Sequence, residues 1–390
     1  MVFGLPISIS LFGIGSALMV IGWLLSGRLI DFVAWLRHSE ASMAIVAVAL
    51  IAALGLLGAS AITPYVLTLL GGYLSLLLAV LVAYYLKEGS LLVLAQRVLA
   101  GAALFTLACT YLGIWQPVQW AFSQATGWGA DHSVMGVYLS QSMFFIFIGW
   151  WMAFAATEVS SKLKKISLSA YAFLAFFSVI FLTRGRAGFV ALVLTFVVAV
   201  FFAGQKKLKA FLLVCISAAL VAGFMSPLMG PALLAGADEL ANLVDLRDVQ
   251  GSWDSRFAMN VFALKSILDA PLWGYGLGGY RELAAAWFNS SVVQNFPHAH
   301  NQFLMSWLEF GIFGLFAWMW IFIGVWRDGR HCIGFQRTLI AVLLTLFFVD
   351  GMTDSSTWLA NKRNVFIVLL GLVTAASLNS KRAQQSALNG

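Results

Sequence analysis

The sequence predicts an all-α polytopic membrane protein, and three features of its 390 residues support this fold class. Hydrophobic residues make up 61% of the chain and charged residues only 10%, whereas soluble domains carry about 25% charged residues. The mean hydropathy is +0.91. The apolar residues are gathered in runs close to the length of about 20 residues that crosses a bilayer as a helix. A soluble domain of this length has no means of burying so much apolar surface.

Eleven apolar runs are candidate membrane spans, so we expect about 11–12 transmembrane helices. The run 43–86 is broken at Thr63-Pro64 and the run 166–203 at Arg184-Gly185-Arg186, and each is long enough to cross twice. The eleven runs cover residues 4–25, 42–60, 65–86, 91–114, 133–157, 166–184, 187–203, 210–228, 301–325, 338–352 and 364–378.

Lysine and arginine residues collect in every second loop, which predicts that those loops are cytoplasmic. The net charge of +7 therefore reflects membrane topology, and nucleic acid is not an expected partner. The loops between them should face outward. Two of these outward loops carry positive charges against the rule, at Arg184/Arg186 and at Lys362/Arg363. Since such charges are costly near a membrane, they invite a functional explanation.

One outward segment, residues 229–300, is long enough to fold outside the bilayer. It holds seven acidic and four basic residues, as expected for a translocated loop. We therefore divide the chain into residues 1–228 with eight spans, the partly helical loop 229–300, residues 301–378 with three spans, and a cytoplasmic tail at 379–390.

The loop contains a predicted helix followed by a glycine-rich stretch. Ser252-Trp253-Asp254-Ser255 offers helix N-caps, and apolar residues recur at helical spacing until Asp269-Ala270-Pro271 ends the helix. Arg256 lies at the amino-terminal end of this helix. The stretch from Trp273 to Tyr280 contains four glycines. Its backbone amides are able to cradle an anion, or the stretch is simply a series of turns.

The sequence gives no indication of a metal or another cofactor. Cys109, Cys215 and Cys332 form no paired motif and are interpreted as inert packing residues. There is no Asp-x-Asp, no HExxH and no clustered set of cysteines and histidines. His298-Ala299-His300 with Glu309 is a poor ligand set, because nine helical residues place Glu309 about 13 Å further along the axis.

Three outward-facing features are expected to converge: Arg184/Arg186 at a helix hairpin, Arg256 on the loop helix, and His298/His300 at the next span. Arginine suits phosphate because its planar fork donates two parallel hydrogen bonds and keeps its charge. A histidine titrates near neutrality and can accept a proton. The set thus predicts a diphosphate site beside a proton acceptor. The alternative is that the arginines reach lipid headgroups or nearby acids and the histidines only cap a helix.

A second group of charged residues lies near the last outward loop. Asp350, Asp354, Lys362 and Arg363 either bind sugars or phosphate or pair with one another. In a transporter, ionisable residues would be expected at mid-membrane together with interrupted helices in corresponding halves of the chain. Here the charges are predicted at one rim of the bundle. This favours an enzyme that works at the membrane surface.

The pattern His300-Asn301-x-x-Leu304-x-x-x-x-Glu309-x-Gly311-x-x-Gly314 resembles the signature of the O-antigen ligase and polymerase superfamily. The turn at 183–188, and Ser255-Arg256 followed by the glycine-rich stretch, resemble it too. This resemblance implies a polytopic inner-membrane enzyme that moves a glycan from undecaprenyl diphosphate to an acceptor on the periplasmic face. The modest length and the one large periplasmic loop make the lipopolysaccharide O-antigen ligases, whose acceptor is lipid A-core, the nearest match.

The resemblance also implies roles for individual residues. The donor diphosphate would be held by Arg186 and Arg256, with Arg184 as a further candidate. His300 would act as the catalytic base, and the reaction would be inverting and metal-independent. The secondary candidates are His298, Asn301 and Glu309.

Two features of this sequence differ from the pattern of the family. We find eleven spans where the ligases are expected to have twelve. The turn reads Arg184-Gly185-Arg186 where family members often have Ser-Arg-Gly, so the counterpart arginine is not fixed, although we favour Arg186. Besides membrane lipids, the expected partners are the lipid-linked donor and lipid A-core. The rival functions are an O-antigen or exopolysaccharide polymerase of the same superfamily, a protein-directed oligosaccharyltransferase and a membrane transporter.

Overall fold

The structure is a computed structural model that describes residues 1–241, 245–247, 249, 252–289, 298–355 and 359–389. Within these ranges every regular element is helical, which confirms the all-α prediction. The α-helices in chain order are α1 Ile9–Leu25, α2 Leu29–Leu36, α3 Glu40–Leu54, α4 Pro64–Ser75, α5 Leu77–Tyr85, α6 Gly89–Leu112, α7 Tyr138–Glu158, α8 Lys162–Phe181, α9 Arg186–Phe202, α10 Lys206–Met225, α11 Met229–Ala241, α12 Ser252–Asp269, α13 Gly279–Trp287, α14 Gln302–Asp328, α15 Phe335–Thr353 and α16 Ala360–Asn389.

The described helices include nine stretches that are long and apolar enough to cross a membrane, which confirms a polytopic membrane protein. Two further predicted spans take other forms. The first is a pair, α1 and α2, bent by 108° at their junction, and the second is α9, an apolar helix of only 17 residues. The nine are Glu40–Gly58, Pro64–Tyr85, Gly89–Leu112, Tyr138–Glu158, Lys162–Phe181, Lys206–Met225, Gln302–His331, Phe335–Thr353 and Ala360–Ser386.

Both helix breaks predicted from the sequence are present in the structure. Thr63 caps α4 by accepting a hydrogen bond from the amide of Val66 at 3.3 Å, and Pro64 occupies the first helical position. Proline fits there because its missing N–H would have no helical partner. The second break falls between Phe181 at the end of α8 and Arg186 at the start of α9.

The bundle is organised around α7 and α16, whose apolar windows are each 78% buried, while α10 at the periphery is only 17% buried. We call the end of the bundle that carries α11, α12 and α13 the loop end. The start of α9, the start of α14 and the end of α15 all lie there, because the helices alternate in direction. The candidate residues are therefore gathered at one end of the molecule.

Helix α14 is broken at Gly311, whose φ of 66° and ψ of −163° are not helical. This backbone conformation is essentially restricted to glycine. The amide of Ile312 would donate to Leu308 in a continuous helix, but here it donates to the carbonyl of Pro271 at 3.0 Å. The break thus inserts the segment 270–278 into the wall of a membrane-crossing helix.

The glycine-rich stretch satisfies the backbone groups that this break sets free. The amides of Tyr275 and Gly276 donate to the carbonyls of Leu308 and Glu309, both at 2.9 Å. The amide of Leu277 donates to the carbonyl of Gly55 at 2.9 Å. The amide of Gly278 donates to the Glu309 side chain at 2.8 Å. A polar backbone group left unpaired in hydrocarbon would be costly. The interpretation of this stretch as an anion cradle is wrong, because these amides are already occupied.

The predicted loop helix is present as α12, and it buries a face that the apolar spacing alone did not identify. Met259 and Phe262 are buried against α13 and the start of α14. Phe257 and Leu268, in contrast, are 50% and 78% exposed. This orientation directs Arg256 toward the bundle. Of the loop residues, 242–244, Asp248, 250–251 and 290–297 lie outside the described part of the chain.

Candidate active site

Two of the predicted arginines meet at one hydroxyl group. Arg186 Nη2 and Arg256 Nη1 each donate to Ser252 Oγ at 3.1 Å. Arg186 also donates to the carbonyl of Ala232 at 2.9 Å, and its guanidinium lies 5.3 Å from the ring of Trp253. Two like charges are thus fixed beside each other at the loop end, which makes a strong attraction for an anion with several oxygens. Ser252 was predicted only as a helix cap, and no sequence signal identified it as the link.

We call Arg186, Arg256 and Ser252 the arginine cluster, and Arg184 lies outside it. Its side chain is exposed. Burial raises the pKa of Asp131, and the charge of Arg184 only partly opposes this shift. Arg186 is the one that the structure brings to Arg256.

His298 is a neutral acceptor. Burial lowers its pKa to about 3, and the nearby charges of His300, Lys362 and Arg256 oppose the attraction of Asp354. Its Nδ1 accepts the backbone amide of His300 at 3.2 Å. The 3.7 Å separation between His298 Nδ1 and Asp354 Oδ1 is therefore not an ion pair. The charge of Arg256 contributes to the lowered pKa of His298, so this arginine lies within electrostatic range of the histidines.

His300 faces a carboxylate. Its Nδ1 lies 3.1 Å from Asp354 Oδ1, and both side chains are largely buried. Its backbone φ of +51° is the one positive value at a described residue other than glycine. Such a conformation costs energy and is kept where the surroundings require it. An imidazole whose Nδ1 faces a carboxylate has its tautomer and orientation fixed, leaving Nε2 as the nitrogen for proton transfer.

Asp354 is held as a carboxylate by its neighbours. Burial would raise its pKa, but Lys362, His300 and His298 together hold the pKa well below its usual range. Lys362 Nζ lies 2.6 Å from Asp354 Oδ2 and 2.9 Å from Asp350 Oδ1. Of the four charged residues near the last outward loop, Asp350, Asp354 and Lys362 therefore pair with one another. The sequence offered no sign that this pair also supports His300.

The two histidines and Asp354 have donor atoms within 4.8 Å of one another, a spacing that suits a metal ion. Two of the three donors are already engaged, however. His298 Nδ1 accepts the His300 amide, and Asp354 holds the Lys362 ammonium. A cation at Asp354 Oδ1 would compete with His300 and lie beside the buried ammonium on Oδ2, so we assign no metal to this cluster.

The remaining secondary candidates have structural partners. Asn301 caps α14, because its side chain accepts from the amides of Phe303 and Leu304, both at 3.1 Å. Glu309 is fully buried, and one of its carboxylate oxygens accepts from Gly278. Glu309 therefore fastens the inserted segment to α14.

The assembled site joins two functions at the loop end. The arginine pair at Ser252 can bind a polyanion, and the His300–Asp354 pair can accept a proton. The residues come from α9, α12, the segment before α14 and the end of α15, so they are separated by up to 168 residues, from Arg186 to Asp354.

Comparison with known proteins gives two matches. Residues 171–319 match the family model described as O-antigen ligase. An uncharacterized protein of Haemophilus influenzae is 31% identical over 119 residues, a stretch that covers 29% of this chain and 30% of that relative. The match thus spans less than a third of the relative's length. The family segment contains Arg186, Arg256 and His300 together. Residues 171–319 of this chain are therefore similar to the O-antigen ligase family, in agreement with the resemblance of the histidine motif.

Proposed function

We propose that the protein is an O-antigen ligase, an inverting and metal-independent glycosyltransferase. It moves a glycan from undecaprenyl diphosphate to lipid A-core on the periplasmic face of the bacterial inner membrane. The observation that carries the proposal is the meeting of Arg186 and Arg256 at Ser252, with Arg256 within electrostatic range of the histidine segment that holds the His300–Asp354 pair. The family match over residues 171–319 supports it.

The proposed reaction uses these groups directly. His300 Nε2 takes the proton of the acceptor hydroxyl as the oxygen attacks C1 of the donor sugar. The bond between C1 and the phosphate oxygen breaks, and the diphosphate leaves with the electron pair. Arg186 and Arg256 stabilise the negative charge that develops on it. Displacement in a single step inverts the anomeric carbon.

A lateral groove offers a place for the lipid tail of the donor. It has a volume of about 320 Å³ and lies between α9, α14 and α15, open to the surrounding membrane. Leu194 in its wall lies eight residues after Arg186, which is about 12 Å along α9. Val349 in its wall lies five residues before Asp354. A diphosphate held at Arg186 could therefore extend its polyprenyl chain downward along this groove.

His300→Ala tests the function in cells that assemble lipid-linked O-antigen. Loss of the base is expected to remove capped lipopolysaccharide, while long undecaprenyl-linked glycan accumulates. The measurement is gel separation of lipopolysaccharide together with analysis of the lipid-linked pool. Loss of glycan length in the lipid-linked pool would instead identify a polymerase. Solute transport that depends on the protein and persists in the variant would identify a transporter.

Chelation is expected to leave the transfer rate within about twofold, because the arginines supply the charge that a metal would otherwise provide. The measurement is transfer by purified protein in lipid nanodiscs, before and after treatment with EDTA. Restoration of a lost rate by Mg²⁺, Mn²⁺ or Zn²⁺ would contradict the metal-independent mechanism.

A further inference from the structure

Lys362 forms the centre of a buried charge cluster that the proposed reaction does not use directly. Its side chain is 2% exposed and lies between two carboxylates, 2.9 Å from Asp350 and 2.6 Å from Asp354. Asp354 uses its Oδ2 for Lys362 and its Oδ1 for His300, at 3.1 Å. One carboxylate therefore connects the buried lysine to the proposed base.

Packing alone does not explain this cluster. Taking charges out of water is expensive, and well-packed apolar residues in place of a buried ion pair are often as stable or more stable. The surrounding parts of α15 and α16 are apolar and closely packed, with Leu346, Val349 and Phe366 all buried. Three ionised groups at the edge of this core thus point to a function.

We propose that Lys362 is a positioning residue that keeps Asp354 ionised and aimed at His300. The inference rests on the proposed function of His300 as a base. With Lys362 in place, two carboxylates and one ammonium leave the cluster with a net charge of −1 beside a neutral imidazole. When His300 takes the hydroxyl proton, the imidazolium formed is balanced by that charge. The acceptor oxygen bonds to C1, and the diphosphate carries away the electron pair.

The groups that face Asp354 come from every neighbouring element. His298 and His300 approach Asp354 from the segment before α14, and Lys362 approaches it from α16. Asp350 on α15 is connected to Asp354 by its ion pair with Lys362. Arg256 on α12 acts through His298. Since His298 is neutral, Lys362 is, among the described residues, the full positive charge in direct contact with Asp354. It is therefore the group whose removal should change Asp354 most.

Lys362→Met is expected to lower kcat about 100-fold with little change in KM for the donor. Two buried carboxylates without the ammonium hold a proton between them. When this proton lies on Asp354, the Asp354 carboxyl donates a hydrogen bond to His300 Nδ1. The hydrogen of the imidazole then lies on Nε2, and Nε2 can no longer act as a base. In the wild type, Lys362 helps to hold the pKa of Asp354 well below its usual range. In the variant the acidic limb of the kcat profile should therefore move to higher pH.

The double variant Lys362→Met/Asp350→Asn separates this role from a structural one. It leaves Asp354 as the single carboxylate and restores the net charge of −1, so at least a tenfold recovery of kcat over Lys362→Met is expected. A merely structural lysine predicts no recovery. The comparison variant is Lys381→Met, near the other end of the same helix, which should behave as wild type. Thermal unfolding and gel filtration establish that each variant is folded.

A second readout does not require glycan transfer. In ¹⁵N-histidine NMR spectra, with His300 assigned through His300→Gln, the wild type should carry its proton on Nδ1, and Lys362→Met should shift it to Nε2. Unchanged tautomers, or an unchanged kcat profile in Lys362→Met, would overturn the inference. If the wild type transfers no glycan to any acceptor, the proposed function fails, and the spectra still decide whether Lys362 controls His300.

Discussion

Arg186→Gln is expected to lower kcat/KM for glycan transfer by about 100- to 1,000-fold, since it removes a charge from the place where the leaving diphosphate becomes more negative. Glutamine cannot replace the paired, charge-assisted hydrogen bonds of a guanidinium. The matched comparison is Arg184→Gln, two residues earlier in the same turn. The Arg184 side chain is exposed and lies outside the arginine cluster, so its loss should change the rate by only about threefold.

The measurement is transfer from a lipid-linked donor by purified protein in nanodiscs, with the donor concentration varied. The loss of activity in Arg186→Gln should appear as a lower kcat as well as a higher KM, because the charge acts on the transition state. Equal losses in the two variants would show that the turn binds lipid headgroups in general. Retention of activity in Arg186→Gln would remove the basis of the diphosphate site.

Gly311→Ala is expected to destabilise the protein by about 3 kcal/mol or more, the range of severe backbone strain and overpacking. A Cβ at Gly311 would lie 1.9 Å from the carbonyl oxygen of Leu272, and the φ of +66° is unfavourable for alanine. The inserted segment 270–278 and α14 would have to separate. Since α12 leads directly into this segment, we also expect the arginine cluster to be disturbed.

The control is Gly101→Ala, on the exposed side of α6, where a Cβ would meet no atom within 4 Å. Alanine at this helical position should leave stability unchanged or raise it slightly. The measurement is the thermal midpoint of both variants in the same detergent. A midpoint for Gly311→Ala within 2 °C of wild type would contradict the role of the break, because about 3 kcal/mol corresponds to a clearly larger shift.

The sequence predicted the membrane-crossing elements well, because hydrophobicity and helix breaks are local properties. Thr63-Pro64 shows this at one residue pair: a capping side chain followed by proline ends one helix and starts the next wherever it occurs. The selection of Arg186, Arg256 and His300 also came from the sequence. In that case the argument combined chemical type, position at span ends and a family resemblance.

The glycine-rich stretch shows where local reasoning was insufficient. Glycines at 274, 276 and 278 adopt positive φ values of 68°, 79° and 92°. The same pattern fits an anion cradle, a series of turns or a segment inserted into a helix. Which of these occurs depends on what lies opposite, and Gly311 lies in another element, 33 residues further along the chain than Gly278.

By itself the sequence determined the fold class, the approximate spans and the residue types at the loop end, since each follows from composition and spacing along the chain. Only the tertiary structure decided that Ser252 links Arg186 to Arg256 and that Asp354 connects His300 to Lys362. These contacts join distant segments, and hydrogen bonds and ion pairs depend on distances of about 3 Å that no local pattern records.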